Sequence, residues 1–220
     1  MEVASKPVAW SYSRLSSYEL CPKKYHEESI LRNYPFVKNE QAIYGEYVHE
    51  KFQKFLSLGE PLPLDLKHWT TVMTLLRDAP GEKQIEHQIA LDTDWNPVPW
   101  YSKDAWLRVR GDFNQINPPK AIAWDFKTGN PRDDFTQLKL SAAVMFYLDD
   151  RIEEIALCFL WTKTKSVSRE TMTRDDAVEF WGPMLARVLK FQEAHDRSEF
   201  PARPGWVCRF CPVKTCSFHP

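Results

Sequence analysis

No stretch of this 220-residue chain is apolar for long enough to span a bilayer, and its first ten residues lack the basic-then-apolar layout of a secretory signal. The first absence sets aside membrane-spanning functions. The second points to a cytoplasmic protein, in a host cytoplasm if the source is viral, where the five cysteines are not expected as disulfides. A charge bias is missing too: 29 Lys and Arg against 30 Asp and Glu leave a net charge of −1, so the chain has no general attraction for nucleic acid. Any such binding has to come from local clusters such as Lys23-Lys24, Arg108/Arg110, Lys163/Lys165 and Arg203/Arg209. No repeat, linker or low-complexity segment divides the sequence, and its length lets one core grow without splitting, so a single domain over 1–220 is expected.

What is present is apolar and aromatic: 43% hydrophobic residues, 14% aromatics and nine tryptophans predict a soluble globular core. Ser11, Ser13 and Ser16 offer helix N-caps, Ser16-x-x-Glu19 has the form of a capping box, and Pro22 breaks the first helix. Tyr44, Val48, Phe52 and Phe55/Leu56 recur at helical spacing over 40–56, and a second helix is expected over 66–78. Three β-rich segments, 84–91, 105–113 and 120–127, are separated by Pro, Asn and Asp and read as a meander. A helix capped by Asp133 or Asp134 runs to about Tyr147, an apolar strand covers 154–162, and Thr173-x-x-Asp176 opens a last helix toward His195, with Pro183 as a kink. This order predicts an α/β core whose sheet is partly antiparallel.

Four cysteines stand at the extremes. Cys208, Cys211 and Cys216 form a C-x2-C-x4-C run of metal-ligand spacing that supplies three sulfurs, and Cys21 is the candidate fourth. A centre on these four joins segments 11–30 and 200–220 as a clasp. Zinc and a [4Fe–4S] cluster both suit four thiolates, and His219 offers a local zinc site without Cys21. Cys158, inside Ile155-Ala156-Leu157-Cys158-Phe159-Leu160, reads as a buried hydrophobe.

Between the cysteines lies a set of acids. Strand periodicity places Asp125 and Lys127 on one face and Trp124 and Phe126 on the other. Asp112 ends the preceding strand, and a turn at Asn117-Pro118-Pro119 can bring it beside Asp125. Adjacent carboxylates repel, and a divalent cation with oxygen ligands relieves them. A lysine two residues on can then orient or deprotonate a water, or stabilise charge on a phosphate. His49 shares a helical face with Gly45 and is a third candidate ligand.

Gly45-x-x-x-His49-Glu50, Gly111-Asp112, Asp125-Phe126-Lys127-Thr128-Gly129 and Gln137, in that order, resemble the RecB-like branch of the PD-(D/E)XK nucleases. Ser13, Cys21-Pro22-x-x-Tyr25 and the terminal cysteines resemble its iron–sulfur members, which include the CRISPR-associated RecB-like exonucleases and the nuclease domain of AddB. The resemblance implies a restriction-endonuclease-like fold with a central mixed sheet flanked by helices. It implies Mg²⁺ or Mn²⁺ held by His49, Asp112, Asp125 and the backbone carbonyl of Phe126, with Lys127 as the catalytic lysine and Gln137 touching DNA or the site. The family's tyrosine four residues after that glutamine is Ser141 here, and Glu86 either corresponds to a first-strand acid that helps the metal shell or is an exposed strand glutamate. Cys21, Cys208, Cys211 and Cys216 would hold [4Fe–4S], with Zn²⁺ as the alternative.

The activity implied is hydrolysis of DNA, single-stranded or at ends, by a metal-activated water, leaving a 5′-phosphate. Exonuclease action is expected, with endonuclease activity compatible, in DNA repair, recombination, phage DNA processing or CRISPR adaptation. Partners implied are a second copy of the chain or recombination or CRISPR-adaptation proteins. A catalytically silent DNA-end-binding or adaptor module of the same fold is the alternative, and retention of Asp112, Asp125 and Lys127 together argues against it.

Overall fold

The computed structural model describes residues 7–220, so most of the opening stretch read for a signal lies outside the described residues. The chain divides into two compact units: the described part of Met1–Val37 with Ala90–Arg108 and Gly182–Pro220, and Lys38–Ile89 with Val109–Trp181. Among the described residues no helix is long and apolar enough to cross a membrane.

The elements follow in the order α1 (Tyr12–Leu20), α2 (Pro22–Tyr25), a π-turn (His26–Ile30), α3 (Glu40–Leu58), a 3₁₀ turn (Leu64–Trp69) and α4 (Thr70–Asp78). Then come β1 (Glu82–Leu91), β2 (Pro97–Val98), β3 (Leu107–Asn117), β4 (Lys120–Lys127), α5 (Thr136–Leu148), β5 (Glu154–Trp161), β6 (Ser166–Thr173), α6 (Arg174–Arg197) and a 3₁₀ turn (Trp206–Phe210). The strands form one sheet in the order β2-β1-β3-β4-β5-β6. β3 and β4 pair antiparallel, β4 and β5 parallel, and β5 and β6 antiparallel, which gives the mixed sheet flanked by helices of a restriction-endonuclease-like fold.

In the unit of Lys38–Ile89 and Val109–Trp181, strand alternation divides the apolar side chains between two clusters. Ala121 and Ala123 of β4 join Ile155, Leu157 and Phe159 of β5 under α5, while Phe113, Phe126 and Leu160 join Val48, Phe52 and Met73 under α3 and α4. β5 is buried along nearly its whole length because both of its faces are covered. Cys158 is buried there, and desolvation pushes its thiol up to about 11, in keeping with a structural rather than reactive cysteine. The start of α3 is set by Asn39, whose Oδ1 accepts from the Ala42 amide at 2.9 Å. Its end is set by Gly59 at φ 71°, a left-handed cap that a side chain would strain.

The unit containing both termini is built on aromatic packing. The Tyr25 ring is fully buried among Tyr18, Phe191, His195 and Phe200. Its hydroxyl takes a hydrogen bond from Arg14 Nη2 at 3.0 Å and lies 3.1 Å from His195 Nε2. Arg187 clamps Glu19 through two bonds of 2.7 Å, and the Lys23 amide donates to the Pro201 carbonyl at 3.3 Å. These contacts seat the tail after α6 against α1 and α2.

Several local expectations change. Ser11 caps α1, its Oγ accepting from the Arg14 amide, and Ser16 lies inside the helix, so Ser16-x-x-Glu19 is not a capping box. Pro22 is the first residue of α2, where a missing N–H costs nothing, rather than a plain breaker. β3 does not end at Asp112 but continues to Asn117, and β6, a polar edge strand, precedes the last helix. Thr173 and Asp176 cap that helix reciprocally: the Thr173 amide donates to Asp176 Oδ2 at 2.7 Å and the Asp176 amide donates to Thr173 Oγ1 at 3.3 Å.

Candidate functional site

The register of the β3–β4 hairpin decides which acids meet. Pairing runs from Asn117↔Lys120 to Phe113↔Trp124, so the next residues, Asp112 and Asp125, come side by side at the mouth of the hairpin. There the Phe126 amide donates to Asp112 Oδ2 at 2.7 Å, a side chain taking the acceptor role. Helix α3 comes close to the end of β4: a Cβ on Gly45 would stand 3.3 Å from Thr128 Oγ1. One turn further along, His49 Nδ1 lies 3.3 Å from Asp112 Oδ1.

Glu86 on β1 completes this set, and donor atoms of His49, Glu86 and Asp112 all lie within 4.8 Å of one another. It is the group among the described residues with metal-binding spacing. Glu86 has a left-handed backbone, φ 52°, uncommon for a residue with a β-carbon and costing about 1–3 kcal/mol. Its carboxylate is mostly buried and meets the Arg110 guanidinium at 2.5 and 2.7 Å. Sequence alone ranks Glu86 as a supporting acid, while the structure places its carboxylate beside His49 and Asp112. Arg110 was visible only as part of a basic cluster.

Asp125 is the most buried member. Gln137 Nε2 on α5 donates to its Oδ1 at 3.0 Å. Its Oδ2 is 2.7 Å from Lys127 Nζ, yet the angles do not make that contact a hydrogen bond and Oδ2 has no aligned donor. Lys127 Nζ in turn donates to Gln137 Oε1 at 3.0 Å and lies 5.5 Å from the centre of the Phe159 ring. One glutamine therefore orients both the lysine and the acid. The Phe126 ring packs edge-on to Phe52, which turns its side chain away from the cleft. All these polar groups open on one cleft of about 590 Å³.

These residues suit a hard divalent cation. They offer carboxylate oxygens and one imidazole, and one buried carboxylate oxygen lacks a donor. Burial and the Asp112 charge raise the Asp125 pKa to about 6, against the lowering effects of Lys127 and His49. For His49 burial lowers the pKa, but the hydrogen bond and charge of Asp112, with Asp125 and Glu86, outweigh it and the net shift is upward.

Both groups have native pKa values above their unfolded ones. The stability each contributes is therefore complete at acid pH and is lost as pH rises through the native value. Metal-free protein in chelator should lose stability attached to Asp125 between roughly pH 4 and pH 7, on the order of 1–3 kcal/mol. The check is the difference in melting temperature between parent and Asp125→Asn across that range. A difference independent of pH would contradict the repulsion.

At the other site, Cys21, Cys208, Cys211 and Cys216 all line one small cavity with Val207, Val213 and Phe218. Backbone amides of Arg203 and Gly205 donate to the sulfurs of Cys21 and Cys208 at 3.5 and 3.4 Å. Among the described residues no three of these sulfurs lie mutually within 4.8 Å. His219 lines the same cavity, with Nδ1 2.9 Å from the Pro220 carbonyl oxygen. Ser141, in place of the tyrosine, is buried and donates to the Gln137 carbonyl at 3.3 Å.

A family model described as the PD-(D/E)XK nuclease superfamily matches residues 9–118, half of the chain. No curated protein matches the sequence. Among solved structures, a provisionally named exonuclease from Eubacterium rectale shares 12% identity with a TM-score of 0.52, over 94% of this chain and 88% of its own. A crystal structure named SSO0001 shares 12% identity with a TM-score of 0.46, over 100% of this chain and 90% of its own.

Proposed function

This chain belongs to the PD-(D/E)XK nuclease superfamily, and from that premise we propose that it is a divalent-metal-dependent deoxyribonuclease of the RecB-like type, acting chiefly as an exonuclease. The observation that carries the reading is that His49, Glu86 and Asp112 lie at metal-ligand spacing in a cleft also lined by Asp125, with Lys127 fixed beside Asp125. Asp112, Asp125 and His49 would hold Mg²⁺ or Mn²⁺, with the Phe126 carbonyl and with Glu86, which lines the same cleft. Such an ion supplies Lewis acidity and a more acidic water. Lys127 carries a positive charge to the attacking water or the phosphate oxygen. Gln137 holds Lys127 and Asp125 in register through its two amide atoms.

Exonuclease action is tested by giving the protein linear and covalently closed circular DNA of one sequence in Mn²⁺. Loss of linear DNA from its ends with the circle intact supports it. Nicking of the circle at the same rate assigns an endonuclease.

A second proposal concerns the cysteines: they bind [4Fe–4S], and the two cysteine-bearing segments, 11–30 and 200–220, belong with the catalytic residues to one nuclease domain over 1–220. The cavity that all four cysteines line supports it. So do the amide donors, which stabilise thiolate charge. Four protein ligands leave no open position, so the centre is structural. Anaerobically purified Cys21→Ser should lose its iron and melt earlier than the parent. Full iron in Cys21→Ser, or zinc lost on His219→Ala, would contradict it. The proposed setting is the cytoplasm, of the host for a viral protein, in repair, recombination, phage DNA processing or CRISPR adaptation.

A further inference from the structure

Beyond the cleft, the 3₁₀ turn Trp206–Phe210 carries large apolar side chains that no described residue covers. Trp206 is 73% exposed and Phe210 80%, in a chain whose other tryptophans include fully buried ones such as Trp10. A 3₁₀ helix repeats every three residues, so i and i+3 share a face. Cys208 and Cys211 thus turn together toward the cysteine cavity, and Trp206 and Arg209 turn together toward solvent.

The charge around them is one-sided. Residues 200–220 contain Arg203, Arg209 and Lys214 and no acid, although the whole chain is at net −1. Arg203 Nη1 is engaged with the Glu19 carbonyl, whereas Arg209 and Lys214 are exposed and form no ion pair among the described residues. Lys23 and Lys24 line the same cavity from α2, Lys24 being paired with Glu28 at 2.6 Å.

We propose that Trp206, Arg209 and Phe210 form a contact surface for single-stranded DNA, with a base stacked on Trp206 and its phosphate on Arg209. The inference rests on DNA being the substrate. A flat aromatic face beside unpaired cations complements an unpaired base and its phosphate. Duplex bases are already stacked and present no face to Trp206.

Binding of labelled oligothymidylate and of a duplex of equal length, measured in Ca²⁺ at several salt concentrations, tests the proposal. Trp206→Ala should weaken oligothymidylate binding roughly 5- to 150-fold and duplex binding far less. Trp206→Tyr should restore most of it, and Arg209→Gln should lower the salt slope by about 0.7. Melting curves verify the fold; if Trp206→Ala melts early, Arg209→Gln and Trp206→Tyr decide. Parental oligothymidylate affinity in folded Trp206→Ala, or in Arg209→Gln with an unchanged salt slope, leaves this face to a protein partner and overturns the inference. Hydrolysis by the parent in Mn²⁺ is scored separately. Cleavage with Trp206-independent binding sinks only this surface, and Trp206-dependent binding without cleavage sinks only the nuclease reading.

Discussion

Lys127→Ala should lower single-turnover hydrolysis of labelled DNA by roughly 10²- to 10⁴-fold, the range of a positioned proton-transfer or charge-stabilising group. That is about 3–5 kcal/mol of transition-state stabilisation. DNA affinity in Ca²⁺ should change little, because a single partly exposed cation contributes a small share of the phosphate contacts. The loss should fall on turnover because Gln137, Asp125 and the Phe159 ring hold the ammonium in place before substrate arrives. Equal turnover by parent and variant would remove Lys127 from the chemistry. Equal loss of affinity and rate would make it a binding residue only.

Asp112→Ala should abolish cleavage at every Mn²⁺ concentration that supports the parent. Asp112 Oδ1 faces His49 and Oδ2 is held by the Phe126 amide, so its removal takes away a proposed ligand and a group that positions its neighbours. The same substitution should act oppositely on the metal-free fold. Asp112 is a leading cause of the raised Asp125 pKa, and without it the charged form of Asp125 is less disfavoured. Melting in chelator at pH 8 should therefore drop less than loss of a buried hydrogen bond alone implies, while the gain in melting temperature on adding Mn²⁺ should vanish. An unchanged Mn²⁺ shift would place the cation elsewhere.

The parts of this site that sequence reveals are those that periodicity controls. β4 is legible to the residue, Lys120–Lys127, because an apolar alternating run lies between Pro118-Pro119 and Thr128-Gly129. With it comes the Asp125 and Lys127 face. Gln137 was found through the family resemblance alone, as the glutamine of the helix after β4. Asp112 was found, but as a strand end. The polar run Asn114-Gln115-Ile116-Asn117 hides the continuation of β3, in which Asn114 is buried.

The rest depends on tertiary placement. β6 has one fully buried residue, Met172, and its polar edge resembles a loop until β5 supplies a partner. The central position of Glu86 follows from a left-handed backbone within β1, for which an L-residue gives no sequence signal. The C-terminal cysteine spacing was plain, but that Cys21 lines the same cavity depends on tertiary packing, the rings around Tyr25 and the Arg187–Glu19 clamp. Neither has a motif.

Digestion of end-labelled DNA in Mn²⁺, in Mg²⁺ and in chelator, by parent and Asp112→Ala side by side, tests the central claim most directly. The account predicts cleavage by the parent with either metal, none in chelator, recovery when metal is restored, and none from folded Asp112→Ala. Cleavage by Asp112→Ala at the parental rate, or a folded parent that cuts neither single- nor double-stranded DNA in either metal, would contradict it.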